Sequence, residues 1–205
     1  MIITISGTAG SGKSTVGKLL AKKLKYKHYS MGDLQRQIAE QRGITLLELG
    51  KLEETDPSID KELDQKQIQL GKTEDYFIID GRLSFHFIPH SLKIFLDSDL
   101  DVRAKRVYTD KISDRSTEKN FSLEDTKKKM LERELSEVKR FTEFYHVNPY
   151  DKKNYDLIID ATNMTIEENA DLIIRFIEST EDNRLPEKQQ PSRKKENKKK
   201  DKAYK

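Results

Sequence analysis

Apolar residues in this chain fall into short β-branched runs that alternate with stretches of helical period. Ile2-Ile3-Thr4-Ile5, the YFIID run at 76–80, LKIFL at 92–96 and YDLIID at 155–160 have the length and composition of strands buried on both faces. His28–Tyr29 reads as a shorter strand of the same set. After the first run, Val16, Leu19, Leu20 and Leu24 recur at helical spacing. Helical patterns also cover 33–42, 46–54, 59–70, 99–108 and 166–177, with Asp56-Pro57-Ser58 as a break. Ser122-Leu-Glu-Asp125 has a capping-box arrangement and opens a long helix to about His146. Residues 109–120 are polar and charged and are expected to be mobile. Strands joined through helices predict an α/β fold, a five-stranded parallel sheet flanked by helices.

The 205 residues suffice for one sizeable core and are few for two. No run of eighteen apolar residues occurs, and the N-terminus MIITISG lacks a basic signal-peptide region, so a cytoplasmic protein without membrane contact is expected. The absence of cysteine excludes a disulfide scaffold and fits a reducing compartment. The four histidines do not predict a metal cluster, because Pro89 interrupts the helix that would align His86 with His90. The net charge of +3 is unevenly spread: residues 181–205 hold ten Lys/Arg against five Asp/Glu, leaving 29 against 31 in residues 1–180. This Lys-rich tail, about 180–205, has almost no apolar side chains and is expected to be disordered, with nucleic acid not expected as its partner.

All nine glycines lie at or before Gly81, four of them within the first seventeen residues. The first strand runs into Gly7-Thr8-Ala9-Gly10-Ser11-Gly12-Lys13-Ser14, the G-x-x-x-x-G-K-[ST] phosphate loop. Its glycines let successive backbone N–H groups turn around an anion, and the following helix aims its positive end there. Gly7 to Ser14, with Thr15, form the expected ATP site; Lys13 supplies a cation to the β/γ-phosphates. Ser14 and Asp80 are the candidate ligands of Mg²⁺. Signature sequences of switch GTPases are missing: no glycine follows an Asp by three, and Asn-Lys-x-Asp does not occur. A small phosphotransferase remains, with an acceptor site facing the loop.

Cations are placed for that acceptor. Ser30-Met-Gly-Asp33-Leu-Gln-Arg36 follows the second strand, and Asp80-Gly81-Arg82 ends the third, where ligands sit in parallel sheets. Arg133, Glu137 and Arg140 recur at i, i+4, i+7 on one helical face. Met130, Phe141 and Phe144 lie on that side and Leu131, Leu135 and Val138 on the opposite one, so the helix is expected to be covered on both.

On these elements, together with FLD at 95–97 followed by Arg103 and Arg106, the chain over residues 1–179 resembles the short, archaeal-type cytidylate kinases among the P-loop nucleoside monophosphate kinases. The resemblance implies transfer of a phosphoryl group from ATP to CMP or dCMP, with Mg²⁺, by a monomer. It implies a helical acceptor-binding region at about 30–74 and a lid at about 109–121. Arg36, Arg82 and Arg140 would grip the acceptor phosphate, and Arg133 and Glu137 the sugar, with Ser30 and Asp33 in the same site. Arg103, Arg106 and Arg115 would act on the ATP side. Lys13, Arg82, Arg106 and Arg140 would be the catalytic cations.

Two departures from long-form bacterial relatives stand out. The Asp that follows Asp-Gly-Arg there, and reads cytosine, is Leu83 here, and only about 45 residues separate Ser30 from Tyr76. Base recognition then falls to Asp60 or Lys61, a carboxylate being an apt acceptor for the amino group of cytosine. The alternatives are an adenylate or other small-acceptor kinase and, from another class, a nucleotide-dependent nucleic-acid-binding switch that uses the tail. Gly81 passing directly to Arg82 speaks against adenylate kinase, and the lack of glycine after Gly81 against shikimate kinase.

Overall fold

A computed structural model describes residues 1–182 except 55, 57 and 110–121. The expected lid beyond Thr109, with Arg115, and the tail from 183 lie outside the described residues. The elements follow in the order β1 (Ile2–Gly7), α1 (Lys13–Leu24), β2 (Lys27–Ser30), α2 (Met31–Gln41), α3 (Leu46–Glu53), α4 (Ser58–Thr73), β3 (Phe77–Asp80), α5 (Ser84–Phe87), β4 (Leu92–Asp97), α6 (Leu100–Thr109), α7 (Leu123–Tyr145), β5 (Leu157–Asp160) and α8 (Ile166–Asp182). The five strands form one parallel sheet in the order β2-β3-β1-β4-β5.

The central strand is buried along its whole length, and its alternating residues feed two cores. Ile3 and Ile5 join Val16 and Leu20 of α1 and Ile173 and Ile177 of α8 on one face. On the other, Ile2 packs with Phe77, Ile79, Ile88 and Met31. Burying each such side chain contributes about 1.5–3 kcal/mol, which fixes strand register because a slip of one residue would exchange the two faces. The crossover from β1 runs to β2 on one side and that from β3 passes β1 to β4 on the other, which opens a crevice at the carboxyl ends of the strands.

Local chemistry explains where the elements differ from the pattern. Helix α2 starts at Met31, two residues early, because the Ser30 hydroxyl accepts the Asp33 N–H and caps it. Helix α8 continues to Asp182, past the expected start of the tail. The four-residue α5 is too short to leave a periodic signature. Ser122 caps α7 as expected, accepting from the Asp125 N–H at 3.0 Å. The expectation that α7 is covered on two sides is corrected. Met130, Glu137, Arg140 and Phe141 are buried, but Leu131 and Leu135 on the opposite stripe are 44% and 71% exposed. Among the described residues, no helix is long and apolar enough to cross a membrane.

Candidate active site

The carboxyl ends of β1 and β3 open into a cavity of about 600 Å³, within the range that small-molecule sites occupy. One wall is the phosphate loop. Gly7, Gly10 and Gly12 have φ of +143°, +74° and +94°, and a Cβ on Gly7 would stand 2.0 Å from the Leu96 carbonyl oxygen. Only glycine fits there; Gly12, the N-cap of α1, has no side chain to cap the helix, which leaves its first N–H groups for an anion. Ala9, Gly10, Gly12, Lys13, Ser14 and Thr15 line the cavity, while Gly7, Thr8 and Ser11 stand behind them. The buried hydroxyls of Thr8 and Ser11 have no hydrogen-bond partner among the described residues. Lys13 Nζ donates to the Thr8 carbonyl at 2.7 Å. Burial, and then the Arg82 guanidinium, hold its ammonium well below the ordinary lysine range, a cost that a polyphosphate would relieve.

The end of β3 supplies the second element. Asp80 Oδ1 accepts from Ser14 Oγ at 2.8 Å and Ser30 Oγ at 3.1 Å, and Oδ2 accepts from His28 Nε2 at 2.8 Å. Gly17 makes room for this arrangement, since a Cβ would meet His28 Nε2 at 2.8 Å. Ser14 and Asp80 therefore present an all-oxygen pair suited to a hard cation such as Mg²⁺. No group of three or more His, Cys, Asp or Glu side chains that could hold a metal occurs among the described residues, so phosphate oxygens and water would supply the other ligands.

A second group of cations lines the same cavity. Arg82 donates from Nε to Glu137 Oε2 and from Nη1 to the Gly7 carbonyl, each at 2.6 Å. Arg133 Nε donates to the other Glu137 oxygen at 3.0 Å, and the Tyr150 hydroxyl to Oε2 at 2.6 Å. Burial raises the Glu137 pKa, but the two guanidiniums and Tyr150 outweigh it and hold it down to about 2. Glu137 is thus the fixed anion that sets two cations side by side. Arg36 lines the cavity from α2 and is oriented by Asp33 one helical turn before it.

The deep end is acidic. Arg140, 2% exposed, donates to Glu53, and its Nε lies 3.3 Å from Asp60 Oδ2 without hydrogen-bond geometry. Burial drives the Asp60 carboxyl up to about 7 and Asp64, which accepts from the Tyr145 hydroxyl, up to about 6. Leu63, Leu83, Phe87 and Phe141 give this end apolar walls.

Most of the residues expected from the sequence converge here, with exceptions. Ser30 and Asp33 do not line the cavity; their side chains hold Asp80 and Arg36 from behind. Arg103 stands behind the phosphate loop, donating to the Ala9 carbonyl at 3.0 Å and paired with Glu134. Arg106 reaches the cavity and donates to the Ala161 carbonyl at 3.0 Å. Lys61 is exposed and lines no part of the cavity. Glu53, Asp64, Gln67, Glu134 and Tyr150 carry no motif; the signal for the first four was a polar residue on a partly buried helical face, and Tyr150, in a turn after α7, left none.

Comparison with known proteins agrees with this geometry. A family model described as the cytidylate kinase-like family matches residues 2–163. The cytidylate kinase of Methanococcoides burtonii is 39% identical over 162 residues, covering 79% of this chain and 88% of that one. That of Natronomonas pharaonis is 40% identical over 167 residues, covering 80% and 83%. Among solved structures, an uncharacterized protein from Eubacterium ventriosum matches with a TM-score of 0.60 at 20% identity, over 87% of this chain and 99% of that one. Shikimate kinase from Acinetobacter baumannii, in complex with shikimate, matches with 0.58 at 16%, over 90% and 95%. These structures share the P-loop kinase fold, and the sequence relatives decide the family: the chain belongs to the cytidylate kinase-like family.

Proposed function

We propose that this protein transfers the terminal phosphoryl group of ATP to CMP or dCMP, giving ADP and the nucleoside diphosphate. The observation that carries the reading is one cavity with a phosphate loop on one wall and Arg36, Arg82 and Arg133 on another. Two polyanions brought together there meet fixed cations, and transfer needs positioning and charge neutralisation rather than a covalent intermediate. Relatives named cytidylate kinase at 39–40% identity support the choice of acceptor.

In this reading Lys13 and the loop N–H groups hold the ATP phosphates, with Arg106, Arg103 and Arg115 on the same side. Ser14 and Asp80 would hold Mg²⁺, which neutralises phosphate charge. Arg36 and Arg82 take the acceptor phosphate; for Arg140 to join them, its contact with Glu53 must open. Arg133 and Glu137 face the sugar, and Asp60 the base. The domain spans 1–179, with the acceptor region at about 30–74 and the lid at about 109–121. In this reading the protein acts as a monomer in the cytoplasm, where both nucleotides occur.

The test is Arg82→Lys, since lysine lacks the guanidinium fork. Steady-state kinetics with each substrate varied should show a strong loss in kcat/KM for the monophosphate and little change in the KM for ATP. Damage confined to ATP would mean that donor and acceptor walls are reversed.

A further inference from the structure

The proposed function leaves one buried polar pair unused. Ser84, fully buried on α5, donates from Oγ to Gln67 Oε1 at 2.7 Å. Gln67 is only 5% exposed, yet it lines the cavity from α4, one and two turns beyond Asp64 and Asp60 on the same face. An amide whose oxygen is already an acceptor for a buried hydroxyl has its NH₂ turned the other way. Among the described residues no hydrogen bond to Gln67 Nε2 is found, and that atom is not one of the sealed orphans. The lock belongs to the Asp80-Gly81-Arg82 turn, because a Cβ on Gly81 would stand 2.3 Å from Ser84 Oγ.

Helix α4 thus offers two acceptors and a donor in sequence: the carboxylates of Asp60 and Asp64, then the amide NH₂ of Gln67. We infer that Gln67, held by Ser84, donates to N3 of the acceptor's pyrimidine while a carboxylate of α4 accepts from its 4-amino group. This rests on the reading that the acceptor is a cytidine monophosphate. Cytosine presents a donor at C4 and an acceptor at N3; uracil presents the reverse at both positions, so the pair selects one and opposes the other. Gln67 is a specificity-determining residue, and Ser84 is a positioning residue that acts through it. Without the Ser84 hydroxyl the amide is free to flip and offer its oxygen to N3–H of uracil.

The test is kcat/KM for CMP and for UMP, with equilibrium binding of each, in the full chain and in Gln67→Leu, Ser84→Ala and the double variant. A polar site that loses its partner gives up discrimination readily, so Gln67→Leu should cut the CMP:UMP ratio by about tenfold or more. Ser84→Ala should narrow the ratio through a gain on UMP. In the double variant the Ser84 change should add nothing, which a purely structural role for the serine would not produce. An unchanged ratio in Gln67→Leu, or an undiminished Ser84→Ala effect in the leucine background, overturns the inference and leaves the kinase reading standing. Equal use of CMP and UMP by the unaltered chain also overturns it. No turnover of CMP by the unaltered chain defeats the kinase reading itself and the inference with it. If Gln67→Leu does not fold, Gln67→Glu keeps an acceptor for Ser84 and replaces the donor; preference must then move toward UMP, and an unmoved ratio overturns the inference.

Discussion

Arg82 and Glu137 stand 55 residues apart in the chain and 2.6 Å apart in the fold. The contact joins the end of β3 to the middle of α7, and Arg82 also reaches the Gly7 carbonyl at the phosphate loop. One guanidinium therefore connects three elements that chain order leaves separate. Its charge is secured by a buried carboxylate that also serves Arg133.

Replacing that carboxylate should be costly. Glu137→Gln leaves two partly buried cations around a neutral amide, and removing one partner of a buried pair costs up to about 3–5 kcal/mol. The pH dependence follows from the lowered pKa. The carboxyl is held down from 4.5 to about 2 in the folded chain, so its contribution is complete above pH 4.5 and disappears as pH falls toward 2. That interval corresponds to about 3 kcal/mol. Thermal midpoints of the two proteins should differ most above pH 5 and converge at acid pH, and a gap constant across that range would count against the pairing.

Asp60 should behave in the opposite sense. Its carboxyl is raised from 3.8 to about 7, chiefly by burial, so the folded chain holds a proton that the unfolded chain has already released. The penalty is absent below pH 3.8 and complete above pH 7, at most about 4 kcal/mol. Asp60→Asn should therefore raise the midpoint at pH 7.5 and leave it nearly unchanged at pH 3.5, while the KM for CMP rises. A stabilisation equal at both pH values would show that the site's strain is not the charge.

In the proposed reaction Lys13 serves the donor phosphates. Its ammonium meets burial and Arg82, and among the described residues it donates to the loop's own Thr8 carbonyl. Lys13→Ala should lower turnover by about 10² to 10³, the usual loss for one transition-state donor. The folded chain should be no less stable, because a strained charge has been removed. Turnover close to the unaltered protein, or a fall in the midpoint of several degrees, would contradict this assignment.

How much of this the sequence disclosed follows from the physics of each element. The strands were legible because β-branched runs such as 2–5 are buried on both faces, and the phosphate loop because its glycines meet backbone constraints at fixed spacing. Arg82 was legible as a cation at a strand end, and Arg133, Glu137 and Arg140 as one face of a helix. What lay hidden were partners chosen by tertiary contact. Glu53 and Arg140 meet across 87 residues, and Ser84 meets Gln67 from the first residue of an unpredicted four-residue helix. The opposite stripe of α7 was misread because apolar spacing alone does not tell a buried leucine from Leu135 at the surface.

In the proposed reaction the cavity binds ATP and a cytidine monophosphate together for direct transfer. ADP release, coupled to a continuous assay and measured across CMP, dCMP, UMP, AMP and GMP at a fixed ATP and Mg²⁺ concentration, tests it most directly. The account predicts the highest kcat/KM for CMP or dCMP, with UMP, AMP and GMP well behind. A preference for AMP, or no stimulation of ADP release by any monophosphate, would contradict it.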